Sequence, residues 1–233
     1  MKMINYVFEP AIVPSLPVDK SHERFPVSRV FCLGRNYHWG DVLNSKREVP
    51  VFFMKPATSV IDAAGELAFP PLTEEFCHEI ELVVAIGKGG VDISEEHALE
   101  HVWGYAAGMD LTRRDMQMAA KAAGHPWEPA KAFDGSAPIT PIVPASRSGH
   151  PTQGAVWLHV NGAERQRSDL ESQIWSVAEV ISQLSRSVTL RAGDLIMTGT
   201  PPGVGALQPG DAISGGIVGI GQFEVVVGNR RNS

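Results

Sequence analysis

The 233-residue chain has only two cysteines, Cys32 and Cys77. They allow one disulfide at most and sit in no CxxC or Cys/His cluster, which excludes a disulfide framework and favours a reducing compartment without structural zinc. Basic charge is also scarce: 20 Lys and Arg stand against 26 Asp and Glu, for a net charge of −6. No basic block exceeds the pair Arg230 and Arg231, so no surface tracking phosphates, and no nucleic-acid partner, is expected. Long apolar runs are missing. Residues 1–20 meet a charge and a proline before reaching signal-peptide length, and internal runs such as LVVAI are strand-sized; the expectation is a cytoplasmic protein without a membrane span. There is no GxSxG elbow and no P-loop ending, which disfavours a serine α/β-hydrolase and a nucleotide-binding enzyme.

What the chain does have is punctuation. Seventeen prolines and 23 glycines separate short apolar runs, the pattern of a strand-rich α+β domain with long loops. Strands are expected at VSRVFCLG, VPVFFMKP, EIELVVAIG, VWLHVNG, DLIMTG, DAISGGI and GQFEVVVG. Two stretches read as helices: residues 112–124, with Thr112 and Asp115 in capping-box register and Gly124 as a stop, and residues 168–186, with Ser168 and Glu171 repeating that signature. Asn161-Gly162 is a type I′ hairpin signal. LRAGDLI and LQPGDAI share one pattern, so two similar turns should each launch a strand. Residues 1–28 read as an N-terminal extension laid on a single domain, residues 29–233.

HEIEL at residues 78–82 puts Glu79 and Glu81 two apart, on one face of a strand. Such a pair is either a solvated strand face or, because Ile80, Leu82, Val83, Val84 and Ile86 suggest cover on both sides, a buried pair that needs a cation. Asp110, before the first helix, offers a third oxygen, and three carboxylates suit Mg2+ or Mn2+ better than zinc. On the helix, Arg114, Gln117 and Lys121 share a face at i, i+3 and i+7; for Lys121 a solvated face is the preferred reading. Lys131 in AKAFD is either a snorkelling surface lysine or a cleft group. The glycine-rich loop TGTPPGVG, which contains Gly199 and Thr200, offers backbone N–H groups to a small carboxylate. His38 and Asp41 in GRNYHWGD lie at i, i+3, either as a turn with an N-capping aspartate or as a general base with its orienting carboxylate.

GRNY, FFMKP, HEIEL, DLTRRDMQ, AKAFD and TGTPPGVG, in this order between residues 30 and 227, resemble the fumarylacetoacetate hydrolase family, most closely its single-domain fumarylpyruvate and acylpyruvate hydrolases. The resemblance implies a mixed β-sandwich roll, a homodimer, and Mg2+ or Mn2+ held by Glu79, Glu81 and Asp110. It carries substrate-holding roles onto Arg114, Gln117, Lys131 and Thr200, with Gly199 beside it. Family hydrolases follow GRNY with two residues and then His-x-x-Glu on a lid, whereas here GRNY runs straight into His38-Trp39-Gly40-Asp41. Without a gap the dyad positions are Gly40 and Leu43 and the base is absent; with a two-residue deletion they are His38 and Asp41, which the shortened distance to FFMKP favours. The implied reaction is hydrolysis of a 2,4-diketo acid. Fumarylpyruvate from gentisate breakdown is the leading substrate, and Arg35 either contacts its distal carboxylate or pairs with Asp41 or Glu48. A decarboxylase or keto-enol isomerase acting on oxaloacetate is the runner-up, and a non-catalytic carboxylate-binding protein the third reading.

Overall fold

A computed structural model describes residues 5–38 and 47–230. The architecture is strand-rich with few helices, as the punctuation predicts. A large mixed sheet runs in the order Val51–Pro56, Arg29–Gly34, Leu195–Met197, Ile80–Ile86, Val102–Met109, Ala137–Ile139 and Val60–Asp62, with Val143–Pro144 attached to Val102–Met109. A second sheet orders Ala163–Asp169, Ala155–Val160, Ala212–Ile217, Gly221–Arg230 and Gly65–Phe69. Leu82, Val84, Tyr105 and Ala107 of the first sheet share one apolar core with Val156, Leu158, Ile213 and Phe223 of the second.

The continuous apolar run of Ile80–Ile86 has the cover it requires on both faces. Leu82 and Val84 point into the core between the sheets, while Val83 and Ala85 meet Leu16, Val18, Phe25 and Val27 from the N-terminal segment. That segment is more ordered than its lack of periodicity predicts: Ser15–Pro17 pairs antiparallel with Arg24–Pro26. Strands of three residues are too short to show a period.

Both helix starts differ from the sequence expectation. The first helix is Arg114–Ala123, ending at Gly124 with φ +66° as the stop signal requires. Thr112 lies instead in a two-residue strand paired with Cys77, and Asp115 accepts from Thr73 Oγ1 at 2.6 Å, from Glu74 N at 2.9 Å and from Met116 N of the first turn at 2.8 Å, so the Thr112–Asp115 capping box does not form. The second helix is Val177–Ser187, and its capping box is Ser176 with Glu179. Ser168 is committed to a strand ladder opposite Val156, so the later of two competing signals, which directly precedes the apolar stripe Val177, Val180, Ile181 and Leu184, prevails.

The turns read correctly. Asn161 and Gly162 have φ of +52° and +76°, as a type I′ turn demands. The two Gly-Asp turns share one geometry: Asp194 accepts from Arg191 N and Asp211 from Gln208 N, each at 2.7 Å.

Candidate active site

Strand register brings the acidic residues together. Ile80 pairs with Met109 across the ladder, so Asp110 emerges beside Glu79, and its backbone N–H donates to Glu79 O at 2.9 Å. Glu79, Glu81 and Asp110 are all buried, with ligand atoms within 4.8 Å of one another. The solvated-face reading of the pair therefore gives way to the buried one. The three carboxylates sit in a cavity of about 670 Å³ that also takes in His38, Arg114, Gln117 and Thr200.

Two buried lysines balance most of this charge. Lys131 is 2% exposed, not a surface snorkeller, and donates to Glu79 Oε2 at 2.8 Å and Asp110 Oδ2 at 2.6 Å. The helix Glu128–Lys131 delivers it. Lys55, from the strand Val51–Pro56, is 1% exposed and lies 2.8 Å from Asp110 Oδ1. It also donates to Leu111 O at 3.2 Å, to Ser136 Oγ at 3.0 Å and to Lys131 O, which fixes the backbone on both sides of the cavity floor.

The electrostatics follow from this arrangement. Burial, reinforced by the charges of Asp110 and Glu79, pushes Glu81 well above the usual carboxylate range, against the pull of Lys131 and the Gly199 N–H. Burial acts the same way on Asp110, but Lys131 and Lys55 outweigh it and hold this carboxyl below its ordinary value. Burial also disfavours the Lys131 ammonium, yet Asp110 and Glu79 raise its pKa above the ordinary lysine range.

With all three carboxylates ionised they face two ammonium groups and the site is one positive charge short, a deficit that the raised Glu81 pKa reflects. Asp110 Oδ1 is buried without a hydrogen bond of good geometry and meets Lys55 only as an ion pair. A donor set made entirely of carboxylate oxygen, underbalanced in charge and open to a cavity, fits a hard divalent cation such as Mg2+ or Mn2+.

The glycine-rich loop serves the triad. Gly199 N donates to Glu81 Oε2 at 2.8 Å, with φ +94° and an added Cβ only 2.7 Å from Asn36 Cβ, so conformation and close approach both require glycine there. Thr200 lines the cavity, but its hydroxyl donates to Ile80 O and accepts from Gln166 Nε2, each at 2.8 Å. Arg114 Nη1 donates to Gln117 Oε1 at 2.8 Å. Lys121 departs from the solvated-face reading: it is half-buried and lines the cavity, its ammonium 4.8 Å from the Trp127 ring centroid. Arg35, at φ +59°, pairs with Glu48 at 3.4 Å, one of the partners the sequence left open. His38 is exposed on the cavity rim. Asp41 lies outside the described residues, as do Trp39, Gly40 and Leu43.

Three supporting residues escape the sequence reading. Asn36 donates to Trp175 O at 3.0 Å and Thr198 O at 2.8 Å and accepts from Trp175 N at 2.7 Å, which ties down the backbone leading to His38. Gln166 accepts from His78 Nδ1 and Ile80 N and donates to Pro201 O as well as Thr200, joining HEIEL to the glycine loop. Lys55 had a signal, a lone lysine in the apolar run FFMKP. Gln166, in the polar strand AERQRSD, had none.

Residues 29–228 match the family model described as fumarylacetoacetate (FAA) hydrolase C-terminal. An oxaloacetate tautomerase of Escherichia coli, YcgM, is 42% identical over 82% of this chain and 88% of its own. A fumarylpyruvate hydrolase of Ralstonia sp is 41% identical over 81% of this chain and 98% of its own. Among solved structures, fumarylpyruvate hydrolase from Pseudomonas aeruginosa in complex with Mn2+ and pyruvate is 52% identical, with a TM-score of 0.92 over 96% of this chain and 99% of that one. With sequence and fold agreeing over nearly the whole catalytic span, the chain belongs to the fumarylacetoacetate hydrolase family.

Proposed function

We propose that this protein hydrolyses a carbon-carbon bond in a 2,4-diketo acid, with fumarylpyruvate giving fumarate and pyruvate. The observation that carries this reading is the buried triad Glu79, Glu81 and Asp110, one positive charge short, sharing a cavity with His38. Its 52% identity to a fumarylpyruvate hydrolase whose structure contains Mn2+ and pyruvate supports it. Held by the triad, Mg2+ or Mn2+ supplies Lewis-acid polarisation of the keto-acid oxygens.

The side chains divide the remaining work. His38 takes a proton from water as the oxygen attacks the distal carbonyl carbon, and Asp41 orients the imidazole. The bond between carbons 3 and 4 then breaks; its electron pair leaves with the pyruvate enolate, which is protonated to pyruvate, while the acyl carbon keeps the water oxygen as fumarate. The Lys131 ammonium, kept protonated by Glu79 and Asp110, stabilises negative charge developing on the substrate oxygen. Arg114 and the Thr200 edge of the loop receive the keto-acid carboxylate. Gln117, whose Oε1 is engaged by Arg114, keeps its amide N–H groups for the attacking water or the oxyanion. A homodimer working in the cytoplasm on aromatic breakdown products is part of the same proposal.

The diketo-enol ultraviolet absorbance of fumarylpyruvate, followed with the Mg2+-loaded protein, tests it. The expected result is a decay that a chelator abolishes and His38→Ala slows by about a hundredfold or more. Absence of decay with wild-type protein, or decay indifferent to His38, overturns the assignment. Enol-keto interconversion of oxaloacetate without hydrolysis would favour the second reading, a tautomerase like the E. coli relative.

A further inference from the structure

Helix Arg114–Ala123 turns Arg114, Gln117 and Lys121 toward the cavity. Arg114 and Gln117 engage each other. Lys121 does not join them, and among the described residues it makes no ion pair; the charges that bear on it most are those of Arg114, Arg35, Glu79 and Lys131. Glu79, the one carboxylate of that group, is already bonded to Lys131 at 2.8 Å.

Burial and the positive charges of Arg114 and Arg35 press the Lys121 pKa below the ordinary lysine value. A cation held where desolvation and like charge both disfavour it is stabilised by an arriving anion. The Trp127 ring under the ammonium keeps it on the cavity wall, where an unbraced lysine would turn out into water. A cavity of about 670 Å³ extends well beyond what a three-carbon keto acid at the triad fills.

We propose that Lys121, braced on Trp127, is the residue that selects diacid substrates, pairing with the carboxylate at the far end of the acyl chain from the keto acid. The assignment rests on reading the cavity as a keto-acid site. It separates two anion-binding tasks: Arg114 and the glycine loop serve the keto-acid end, and Lys121 serves the distal end. The Trp127 face against which the ammonium lies is apolar.

The test compares two substrates and two ligands that differ only in the distal group. Fumarylpyruvate is set against crotonylpyruvate, in which a methyl group replaces the distal carboxylate, using Mg2+-loaded wild-type protein, Lys121→Met and Lys121→Arg. The ratio of their kcat/KM values is expected to fall about 10- to 100-fold in Lys121→Met, the range of a lost charged hydrogen bond, and to recover largely in Lys121→Arg. Binding of 2-oxoadipate against 2-oxohexanoate by calorimetry gives the same comparison without catalysis, and Lys121→Gln repeats it should the methionine variant fold poorly. A general packing defect would lower both members of each pair together and leave the ratios unmoved, which would overturn the assignment. So would a wild-type protein with no preference for the diacid in either pair. Should wild-type protein hydrolyse neither diketo acid while its preference for 2-oxoadipate disappears in Lys121→Met, the hydrolase reading falls and the Lys121 assignment stands.

Discussion

Replacing Lys55 by Met keeps most of the side-chain volume and removes one positive charge from a site that, with its three carboxylates ionised, is already one positive charge short. At 2.8 Å from Asp110 Oδ1, the pair attracts by about 6 kcal/mol at an effective dielectric constant of about 20. Part of that gross figure is returned because the ammonium no longer has to be desolvated. What remains is the cost of leaving a buried carboxylate uncompensated, about 3–5 kcal/mol for pairs of this kind. For a chain of this size each kcal/mol shifts Tm by about 2–4 °C, so Lys55→Met should melt roughly 6–20 °C below wild type in the presence of a chelator. The assay is thermal unfolding by circular dichroism, with EDTA and again with excess Mn2+. A cation bound to the triad at a hundred times its Kd adds about 2.7 kcal/mol, and it should bind more tightly to the more negative variant, so the gap should narrow when Mn2+ is supplied. A drop under chelation of less than about 2 °C, or a gap of the same size with and without Mn2+, would refute the charge accounting.

Lys131→Ala removes the ammonium that Glu79 and Asp110 hold at the cavity wall, and turnover of fumarylpyruvate should fall by about a hundredfold or more; stopped-flow absorbance that gave wild-type turnover would remove Lys131 from the mechanism. Glu179 has its carboxyl pKa lowered to about 2, chiefly by a hydrogen bond from Arg47 and further by Ser176. Because the folded pKa is depressed, this stabilisation is complete above about pH 4.5 and is lost as pH falls toward 2. With Arg47 partly exposed, wild type should exceed Glu179→Gln by about 1 kcal/mol at pH 7, and urea midpoints should draw together below about pH 4.5 and converge only as pH approaches 2; a constant difference across that range would remove the ion pair as its source.

The site was legible where chemistry depends on residue type and spacing. Glu79 and Glu81 at two residues apart, inside an apolar run, carried their own evidence of burial, because a strand covered on both sides leaves water no access to either face. Asp110 was legible only as a candidate, since the ladder register that sets it beside Glu79 is a long-range fact. Lys121 was misread because a polar i, i+3, i+7 stripe looks the same whether it faces solvent or a wet cavity; the Trp127 ring that settles the matter is supplied by a separate turn. The helix starts were misplaced for a related reason. Ser168 with Glu171 and Thr112 with Asp115 satisfy the capping pattern locally, but a strand ladder and a cross-loop carboxylate contact claimed them first. Asn36 and Gln166 tie backbone segments far apart in sequence, and their spacing carries no sign of it.

The order of the large sheet has a consequence for synthesis. Leu195–Met197 lies between Arg29–Gly34 and Ile80–Ile86, so the strand that joins the two halves of the sheet is made late. On the ribosome, the first 194 residues emerge with two long apolar strand edges unsatisfied at the place where the missing strand belongs. Until it arrives, those edges are open to pairing with other nascent chains, which makes C-terminal truncations before that strand prone to aggregate.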